Sequence, residues 1–310
     1  MVDFMSFKAR VRRFLGPRLS NAVRNSLVSA RAFLGLLPRV NRPDCVSALM
    51  RVRDEEWWIE PSILSIKDLV NEYVIMDAST DRTPEIIEGL RRDYGLNIIH
   101  VMDFDDDIAR VSQRGLEMIR CRWVLRWDGD FVMTEYGVQF IKDLINRLRR
   151  DRYYAIYWPH ILLVGDPFHQ DPNAPLHSEH WLVTYTPGMR FIRIPGGFEY
   201  LYVPTTLAYR IEIDKPLSFH VDAKPKVRLL SRKYRWEHFV KGVNEPLMDY
   251  IKRRVEEDYG TDDLNKAAEI YYQELISKLV PYDKNKYGDY PEILKRYIEK
   301  YFEKSWVNLQ

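Results

Sequence analysis

Between residues 45 and 132 the chain alternates short apolar runs with segments of helical character. The apolar runs read CVSALMRV, YVIMDA, LNIIHVMD and RWVLRWD, and helices are predicted between them near residues 60–70, 84–94 and 106–119. Short runs separated by amphipathic helices are typical of βαβ units, whose strands form a mainly parallel sheet flanked by helices. The pattern therefore predicts an α/β fold for this part of the chain.

Polar side chains follow each of the four predicted strands at the point where the strand ends. Residues 51–55 follow the first strand, 77–81 the second, 103–107 the third, and Asp128 and Asp130 the fourth. Open α/β sheets bind their ligands beyond the carboxyl ends of the strands. Helix capping would explain one such cluster, but four at the same edge of a sheet predict a binding site.

The stretch RWVLRWDGDFVM places Asp128 and Asp130 one residue apart at the end of a buried strand. Residues i and i+2 of an extended chain point to the same side, so both carboxylates face one place. Two buried like charges are unfavourable without a positive partner. We therefore expect a cation that the sequence does not supply; the structural alternative is that the two carboxylates cap the strand end.

The first 44 residues form a basic arm on a mildly acidic body. They carry nine basic residues against Asp3 and Asp44, a net charge of +7, while the whole chain has a net charge of +2. Apolar residues recur at helical spacing over 3–15 and again over 19–37, with basic residues between them. Such basic amphipathic helices are typical of a membrane-surface anchor; the alternative is a helix pair packed on the body.

No apolar run approaches the roughly 20 residues that a bilayer-spanning helix needs, and no motif indicates nucleic-acid binding. The chain has two cysteines, Cys45 and Cys121. Two cysteines are too few for a disulfide framework, and their spacing is not that of a metal site, so we expect ordinary buried thiols. With no sign of secretion, we expect a cytoplasmic protein, peripheral on the inner face of the cell membrane.

Over residues 45–133 the chain resembles the GT-A glycosyltransferases, in particular the inverting family 2. VSALMRVRDEE is similar to the opening strand and acidic loop of the family, IMDASTDRT to its second strand end, VSQRGLE to its next helix and WVLRWDGD to its D-x-D motif. Two positions depart from the family pattern. Met76 replaces the first residue of the usual Asp pair, and Ser112 and Gln113 stand where Arg-Asn is usual.

The resemblance implies a Rossmann-like GT-A fold and a nucleotide-sugar donor, with GDP- or UDP-sugars expected. The missing cation is then Mn²⁺ or Mg²⁺, bound by Asp128, Asp130 and, as a third ligand from a later strand, His220. Oxygen ligands suit both ions. The implied contacts to the nucleotide-sugar are Arg51, Arg53, Asp54, Glu55, Asp77, Ser79, Asp107, Gln113, Asp128, Gly129 and Arg235.

The later segment RKYRW is similar to the Q-x-x-R-W signature of processive family members, with Arg232 replacing Gln. This likeness implies that Arg235 faces the diphosphate and that Trp236 stacks on an acceptor sugar. An inverting transferase also needs a general base. We expect Glu199, in an otherwise apolar strand where burial would raise its pKa, with Asp166 as the alternative.

The loop over residues 165–180 contains three histidines, His169, His177 and His180. Three histidines could form a zinc site, but no helical pattern fixes their relative positions as a metal site requires. We expect a flexible loop that faces the acceptor.

We predict an arm over 1–44, a GT-A catalytic domain over 45–236 and a helical extension over 237–310. Within the catalytic domain, residues 45–133 would bind the nucleotide and 134–236 the acceptor. The expected activity is metal-dependent, inverting transfer of a sugar to a lipid-linked or glycan acceptor. The alternatives are a sugar nucleotidyltransferase, which lacks support because no Gly-rich loop follows the first strand, and a non-catalytic nucleotide- or glycan-binding protein.

Overall fold

The computed structural model describes residues 2–173, 178–194 and 198–303. The strands are β1 (Val46–Val52), β2 (Glu72–Asp77), β3 (Ile98–Met102), β4 (Trp123–Asp128), β5 (Phe131–Met133), β6 (Tyr153–Gly165), β7 (His169–Gln170), β8 (Ser178–Thr184), β9 (Arg190–Arg193), β10 (Glu199–Tyr202), β11 (Ala208–Glu212), β12 (Ser218–Ala223) and β13 (Val280–Pro281). The helices are α1 (Val2–Phe33), α2 (Ile59–Ser65), α3 (Thr83–Asp93), α4 (Ile108–Met118), α5 (Glu135–Arg147), α6 (Lys226–Lys241), α7 (Leu247–Tyr259), α8 (Leu264–Ile276), α9 (Lys284–Tyr287) and α10 (Glu292–Ile298), followed by a π-helical turn (Glu299–Glu303).

A central sheet runs in the order β3-β2-β1-β4-β8-β6-β12-β5, and β11 pairs with β6 beside it. The first four strands are parallel to one another, as the alternating pattern predicts, and β8 joins β4 to β6 through antiparallel pairs. The α/β fold with a mainly parallel sheet is thus confirmed. The carboxyl ends of β1, β2, β3 and β4 meet at one edge.

Apolar side chains on both faces of the sheet form the core. One cluster packs α2, α3 and α5 against the sheet and includes Trp123, Trp127 and Trp158, all almost fully buried. On the other face α4 lies close to the strands. A Cβ on Gly115 would come within 2.6 Å of Leu49 and 2.9 Å of Met76. This close approach fixes the position of α4 behind the loop that follows β3.

Residues 2–33 of the arm form α1, in which Gly16 has non-helical backbone angles between two helical segments. The second segment packs on the edge strand β11. Arg24 donates to the carbonyl of Ala208, and Asn25 exchanges hydrogen bonds with the backbone of Arg210 in both directions. The second segment therefore packs on the body, and the role of the arm as a membrane-surface anchor stays a prediction. Among the described residues, no helix combines the length and apolarity that a membrane crossing requires.

The prediction that the two cysteines are free thiols is wrong. Cys45 and Cys121 form a disulfide with their Cα atoms 5.0 Å apart. The residues lie 76 positions apart in the chain, just before β1 and β4. Because these two strands pair in parallel, with Val46 opposite Trp123, their starts become neighbours.

The histidine-rich loop is partly ordered into strands. His169 lies in β7 and His180 in β8, whereas His177 lies outside the described residues. His169 hydrogen-bonds to Asp166 at 2.7 Å, and His180 Nε2 lies 2.8 Å from the carbonyl of Leu201. His180 is thus a core residue whose ring faces a backbone carbonyl.

We expect His180 to make stability depend on pH. Burial, aided by the positive charge of Arg126, lowers the pKa of His180 to about 4. An unfolded histidine titrates near pH ~6.5, so the buried neutral ring contributes stability above that pH, which is lost as the pH falls toward 4. Urea unfolding of wild type should lose about 3 kcal/mol more between pH 7 and pH 4 than that of His180→Asn. An equal loss in both proteins would contradict this, and His238→Asn serves as the control.

The C-terminal part is helical, as predicted. Helices α6, α7 and α8 pack together around Leu230, Tyr234 and Val255, while α10 packs under the sheet with Tyr290 and Leu294. Helix α6 runs without a break through residue 236, where the catalytic domain was predicted to end. It carries Arg232, Arg235 and Trp236 to the edge of the sheet.

Candidate active site

A cavity of about 750 Å³ lies at the carboxyl ends of β1, β2, β3 and β4, with α6 as its opposite wall. This size suits a small-molecule ligand. Its charged and aromatic lining comprises Arg51, Arg53, Glu55, Asp103, Asp105, Asp106, Asp128, Asp130, His220, Arg232, Arg235, Trp236, His238 and Phe239. The four strand ends that were predicted to form a site therefore border one cavity.

Asp128 and Asp130 project into this cavity from a tight turn between β4 and β5. The intervening Gly129 has no room for a side chain, because a Cβ there would lie 2.8 Å from Val52 and 3.0 Å from Glu55. Ser62 holds the turn by donating to the carbonyl of Asp128 at 2.9 Å. The glycine thus lets the loop after β1 press against the two carboxylates.

His220 reaches Asp130 through strand pairing. It lies within β12, where it pairs with Phe131 of β5, and its Nε2 is 3.4 Å from Asp130 Oδ2. Lys224, at the end of β12, is buried, forms an ion pair with Glu55 and lies 3.8 Å from Asp130. Strand β12 and the residue that follows it therefore bring two basic groups to the carboxylates from a distant part of the chain.

The three carboxylates share a crowded, desolvated space, and their pKa values move apart. Burial raises the pKa of Asp128 despite the opposing charge of Arg51. Burial and the charge of Asp130 raise the pKa of Glu55 to about 8. Burial also works to raise the pKa of Asp130, but His220 and Lys224 outweigh it and hold that pKa well below its ordinary value. Of the three carboxylates, Asp130 is the one whose charged form its surroundings favour.

Cationic side chains face these carboxylates from the other wall. Arg235 lies 3.7 Å from Asp54, and its Nε has no hydrogen-bond partner among the described residues. Burial, together with repulsion from Arg53, lowers the pKa of Arg235. Arg232, one turn earlier on α6, is paired with Asp222. Cations crowded together with an unused donor are suited to an anion such as a diphosphate.

The loop after β3 forms a second acidic wall that the resemblance did not assign. Asp103, Asp105 and Asp106 line the cavity. Arg114 of α4 binds Asp103 through two nitrogens at 2.8 Å and also contacts Asp105 at 3.1 Å. The strand-end pattern indicates residues 103–107, but the pairing of Arg114 with Asp103 and Asp105 appears only in the tertiary structure.

Five predicted nucleotide contacts do not line the cavity and instead hold its loops. Asp77 binds His100 at 2.9 Å and the backbone of Ser79, whose hydroxyl accepts from the backbone of Asp54 at 2.7 Å. Asp54, at φ 58, accepts two hydrogen bonds from Thr80. This left-handed turn, uncommon for a residue other than glycine, turns Arg53 and Glu55 into the cavity.

The other two contacts belong to α4. Asp107 is its N-cap and accepts from the backbone of Ala109 and Arg110. Gln113 accepts from the backbone of Phe191 at 3.0 Å and donates to Glu117. Both residues anchor α4 and the ribbon of β9 and β10 beside the cavity.

Neither predicted general base lines the cavity. Glu199 begins β10 and forms an ion pair with Arg51, whose strand neighbour in β4 is Asp128. Asp166 is buried below the sheet edge, where Tyr272 donates to it at 2.6 Å and His169 lies at 2.7 Å. Glu199 is thus one residue removed from the cavity, while Asp166 organises the turn after β6. The role of either as a base stays a prediction.

Aromatic side chains stand at the mouth of the cavity. Trp236 is 44% exposed, and its ring centroid lies 4.7 Å from that of Phe198 and 5.9 Å from that of Phe239. Exposed aromatic groups beside a charged cavity are suited to the apolar faces of a sugar ring. The prediction that Trp236 contacts the acceptor is compatible with this position and stays a prediction.

Residues 47–214, slightly more than half of the chain, match the model of "Glycosyl transferase family 2". No protein of curated function matches the sequence. Among solved structures, S. aureus TarS 1–349 in complex with UDP-GlcNAc is 12% identical with a TM-score of 0.43, covering 70% of this chain and 73% of that one.

The inositol-1-phosphate CTP transferase from T. maritima is 8% identical with a TM-score of 0.36, covering 65% of this chain and 98% of that one. Likenesses this distant carry no argument about substrate or partner.

Proposed function

The chain belongs to glycosyl transferase family 2 and is a glycosyltransferase, and on that premise we propose that it is a metal-dependent, inverting enzyme. It takes a sugar from a nucleotide-sugar, with GDP- and UDP-sugars as the expected donors, and transfers it to a lipid-linked or glycan acceptor at the inner membrane surface. The observation that carries the proposal is the cavity itself, in which Asp128 and Asp130 face the cationic groups of Arg53 and Arg235.

The side chains proposed as metal ligands fit Mn²⁺ or Mg²⁺. Asp128 and Asp130 supply carboxylate oxygens from one turn, and His220 stands next to Asp130. No three His, Cys, Asp or Glu side chains of the described residues are grouped as a complete metal site. Mg²⁺ is commonly held by one or two carboxylates together with substrate phosphates, so the diphosphate would complete the site. The bound ion would neutralise charge that develops on the leaving diphosphate.

Other side chains of the cavity would bind the diphosphate and the nucleoside. In the proposed reaction the acceptor oxygen forms a bond to the anomeric carbon as the bond to the diphosphate oxygen breaks. Arg53 after β1 and Arg232 and Arg235 on α6 would hold the diphosphate, and the acidic loop at 103–106 would contact the nucleoside. The nucleotide would thus lie on residues 45–133 and the acceptor on 134–236.

The proton of the acceptor hydroxyl goes to a carboxylate. Glu199 remains our proposed base because only Arg51 separates it from the cavity. Asp166 is less suited to this role because two side chains already bind it.

A donor screen tests the proposed activity. Thermal unfolding should be measured with GDP-, UDP- and dTDP-sugars, each with and without Mn²⁺. A donor at a hundredfold excess over its dissociation constant stabilises the folded protein by about 2.7 kcal/mol, and we expect this effect with one nucleotide class and only with the metal. Product analysis then separates the alternatives. A glycosyltransferase releases a nucleoside diphosphate from the nucleotide-sugar, whereas a nucleotidyltransferase releases pyrophosphate only from a nucleoside triphosphate and a sugar phosphate. No stabilisation by any donor would contradict the proposal.

Trp236→Ala is expected to weaken acceptor binding. Loss of an aromatic stacking partner costs roughly 1 kcal/mol, so the KM for the acceptor should rise about five- to tenfold with little change in the KM for the donor. Steady-state kinetics with both substrates varied provides the measurement. Tyr136→Ala, an exposed aromatic residue on α5, is the matched control, and an unchanged acceptor KM would remove Trp236 from the acceptor site.

A further inference from the structure

Helix α1 presents an apolar strip to solvent on the side opposite the body. Leu19, Val23 and Leu27 recur every four residues and are 52%, 46% and 59% exposed. The strip continues with Phe33, the last residue of the helix, and with Leu34 just after it, which are 90% and 66% exposed. Large apolar side chains grouped in this way on a surface usually mark an interaction site.

The opposite face of the same helix is fixed to the body. Arg24 and Asn25 bond to the backbone of β11, and Ser29 lies 3.1 Å from the hydroxyl of Tyr209. Val28 between them is fully buried. Because these contacts set the rotation of α1, the apolar strip has a fixed outward direction.

The charged residues between positions 4 and 43 are all basic. No Asp or Glu occurs between Asp3 and Asp44, and Arg18, Arg31 and Arg39 are exposed. An apolar strip with exposed basic residues and no acidic ones complements an anionic surface that has an apolar interior. Nucleic acid offers no apolar interior to Leu19 and Leu27.

A cavity of about 330 Å³ opens at the C-terminal end of α1. It is lined by Ser29, Ala32, Phe33, Arg149, Arg152, Tyr154 and Tyr209. The adjoining segment 147–152 contains four arginines and the single acid Asp151. Asp151 binds both Arg149 and Arg152, which leaves a net positive charge beside exposed Phe33.

From this juxtaposition we propose that the face formed by Leu19, Val23, Leu27, Phe33 and Leu34 docks on an anionic phospholipid bilayer, with a lipid headgroup phosphate in the arginine-lined cavity. The leucines and Phe33 enter the upper acyl region, and Arg149 and Arg152 bind the phosphate. This inference rests on the membrane location in the proposed function and names the surface and the lipid chemistry responsible for it.

Vesicle co-sedimentation of the full chain tests the proposal. We expect binding to vesicles of phosphatidylcholine with phosphatidylglycerol, little binding to phosphatidylcholine alone, and weaker binding in high salt. Leu27→Ser with Leu34→Ser should lower the partition coefficient at least about tenfold, and Arg149→Gln with Arg152→Gln about tenfold. Glycerol phosphate at millimolar concentration should not release the protein, because a free headgroup lacks the acyl chains.

Matched controls use exposed residues elsewhere. Ile270→Ser on α8 and Arg91→Gln with Arg92→Gln on α3 should bind as wild type does. Equal binding of wild type and the α1 variants, or equal binding to neutral and anionic vesicles, would overturn the proposal, as would release by glycerol phosphate. Donor-induced thermal stabilisation should persist in every variant. Its presence separates a failure of docking from a failure of the proposed transferase activity.

Discussion

Asp128→Asn is expected to reduce sugar transfer by at least about 100-fold, the range found when a group that stabilises developing charge is removed. Asp128 and Asp130 are the two carboxylates proposed to hold the metal against the leaving diphosphate. The measurement is the transfer rate at saturating donor and Mn²⁺. Binding of the nucleotide, followed by titration calorimetry, should lose its dependence on Mn²⁺ as well.

Stability separates this effect from misfolding. Burial raises the pKa of Asp128, so the charged carboxylate is unfavourable in the metal-free protein. The substitution by the neutral amide should therefore leave the free energy of unfolding unchanged or higher. Asp143→Asn, which alters an exposed carboxylate on α5, should retain full activity. Wild-type transfer by Asp128→Asn would refute the proposed metal site.

Removal of the disulfide is expected to lower the free energy of unfolding by about 4.5 kcal/mol. The bond joins residues 76 positions apart, and a cross-link that closes a loop of this length restricts the unfolded chain by about that amount. Urea unfolding of Cys45→Ser with Cys121→Ser, compared with oxidised wild type, gives the difference. Fully reduced wild type should resemble the double variant.

Two outcomes would contradict the disulfide prediction. One is an equal unfolding midpoint for oxidised wild type and the double variant. The other is a response of the double variant to reductant, since it has no cysteine left. Alkylation inside the cell before lysis shows whether the two cysteines are oxidised there. The result also bears on the location of the protein, because disulfides are rare in the cytosol except in hyperthermophiles.

The sequence predicted the part of the site that depends on local order along the chain. Each strand of the first half is followed at once by its polar cluster, and parallel strands place their carboxyl ends together. For this reason Asp128 and Asp130, Arg53 and Glu55, and the acidic residues at 103–106 could be assigned to one edge before any coordinates. The resemblance to family 2 added His220, Arg235 and Trp236, all of which line the cavity.

Several residues predicted to contact the nucleotide-sugar do not line the cavity and instead bind residues that do or that hold its loops. Asp77, Asp107 and Gln113 lie in the right loops, but their side chains bind His100, the start of α4 and the backbone of Phe191. Sequence position gives the loop, whereas the direction of a side chain within it depends on which partner is nearest. Glu199 is a further case, since its partner Arg51 lies 148 residues earlier.

By itself, the sequence determined the α/β fold, the edge of the sheet that carries the site and the turn that holds Asp128 and Asp130, because strand alternation and strand-end chemistry are local properties of the chain. Tertiary structure alone decided which groups meet across the chain. It brought Lys224 to Glu55, Cys45 to Cys121 and α1 to β11. These contacts depend on strand order and helix packing, which bring distant residues together for reasons that no local pattern records.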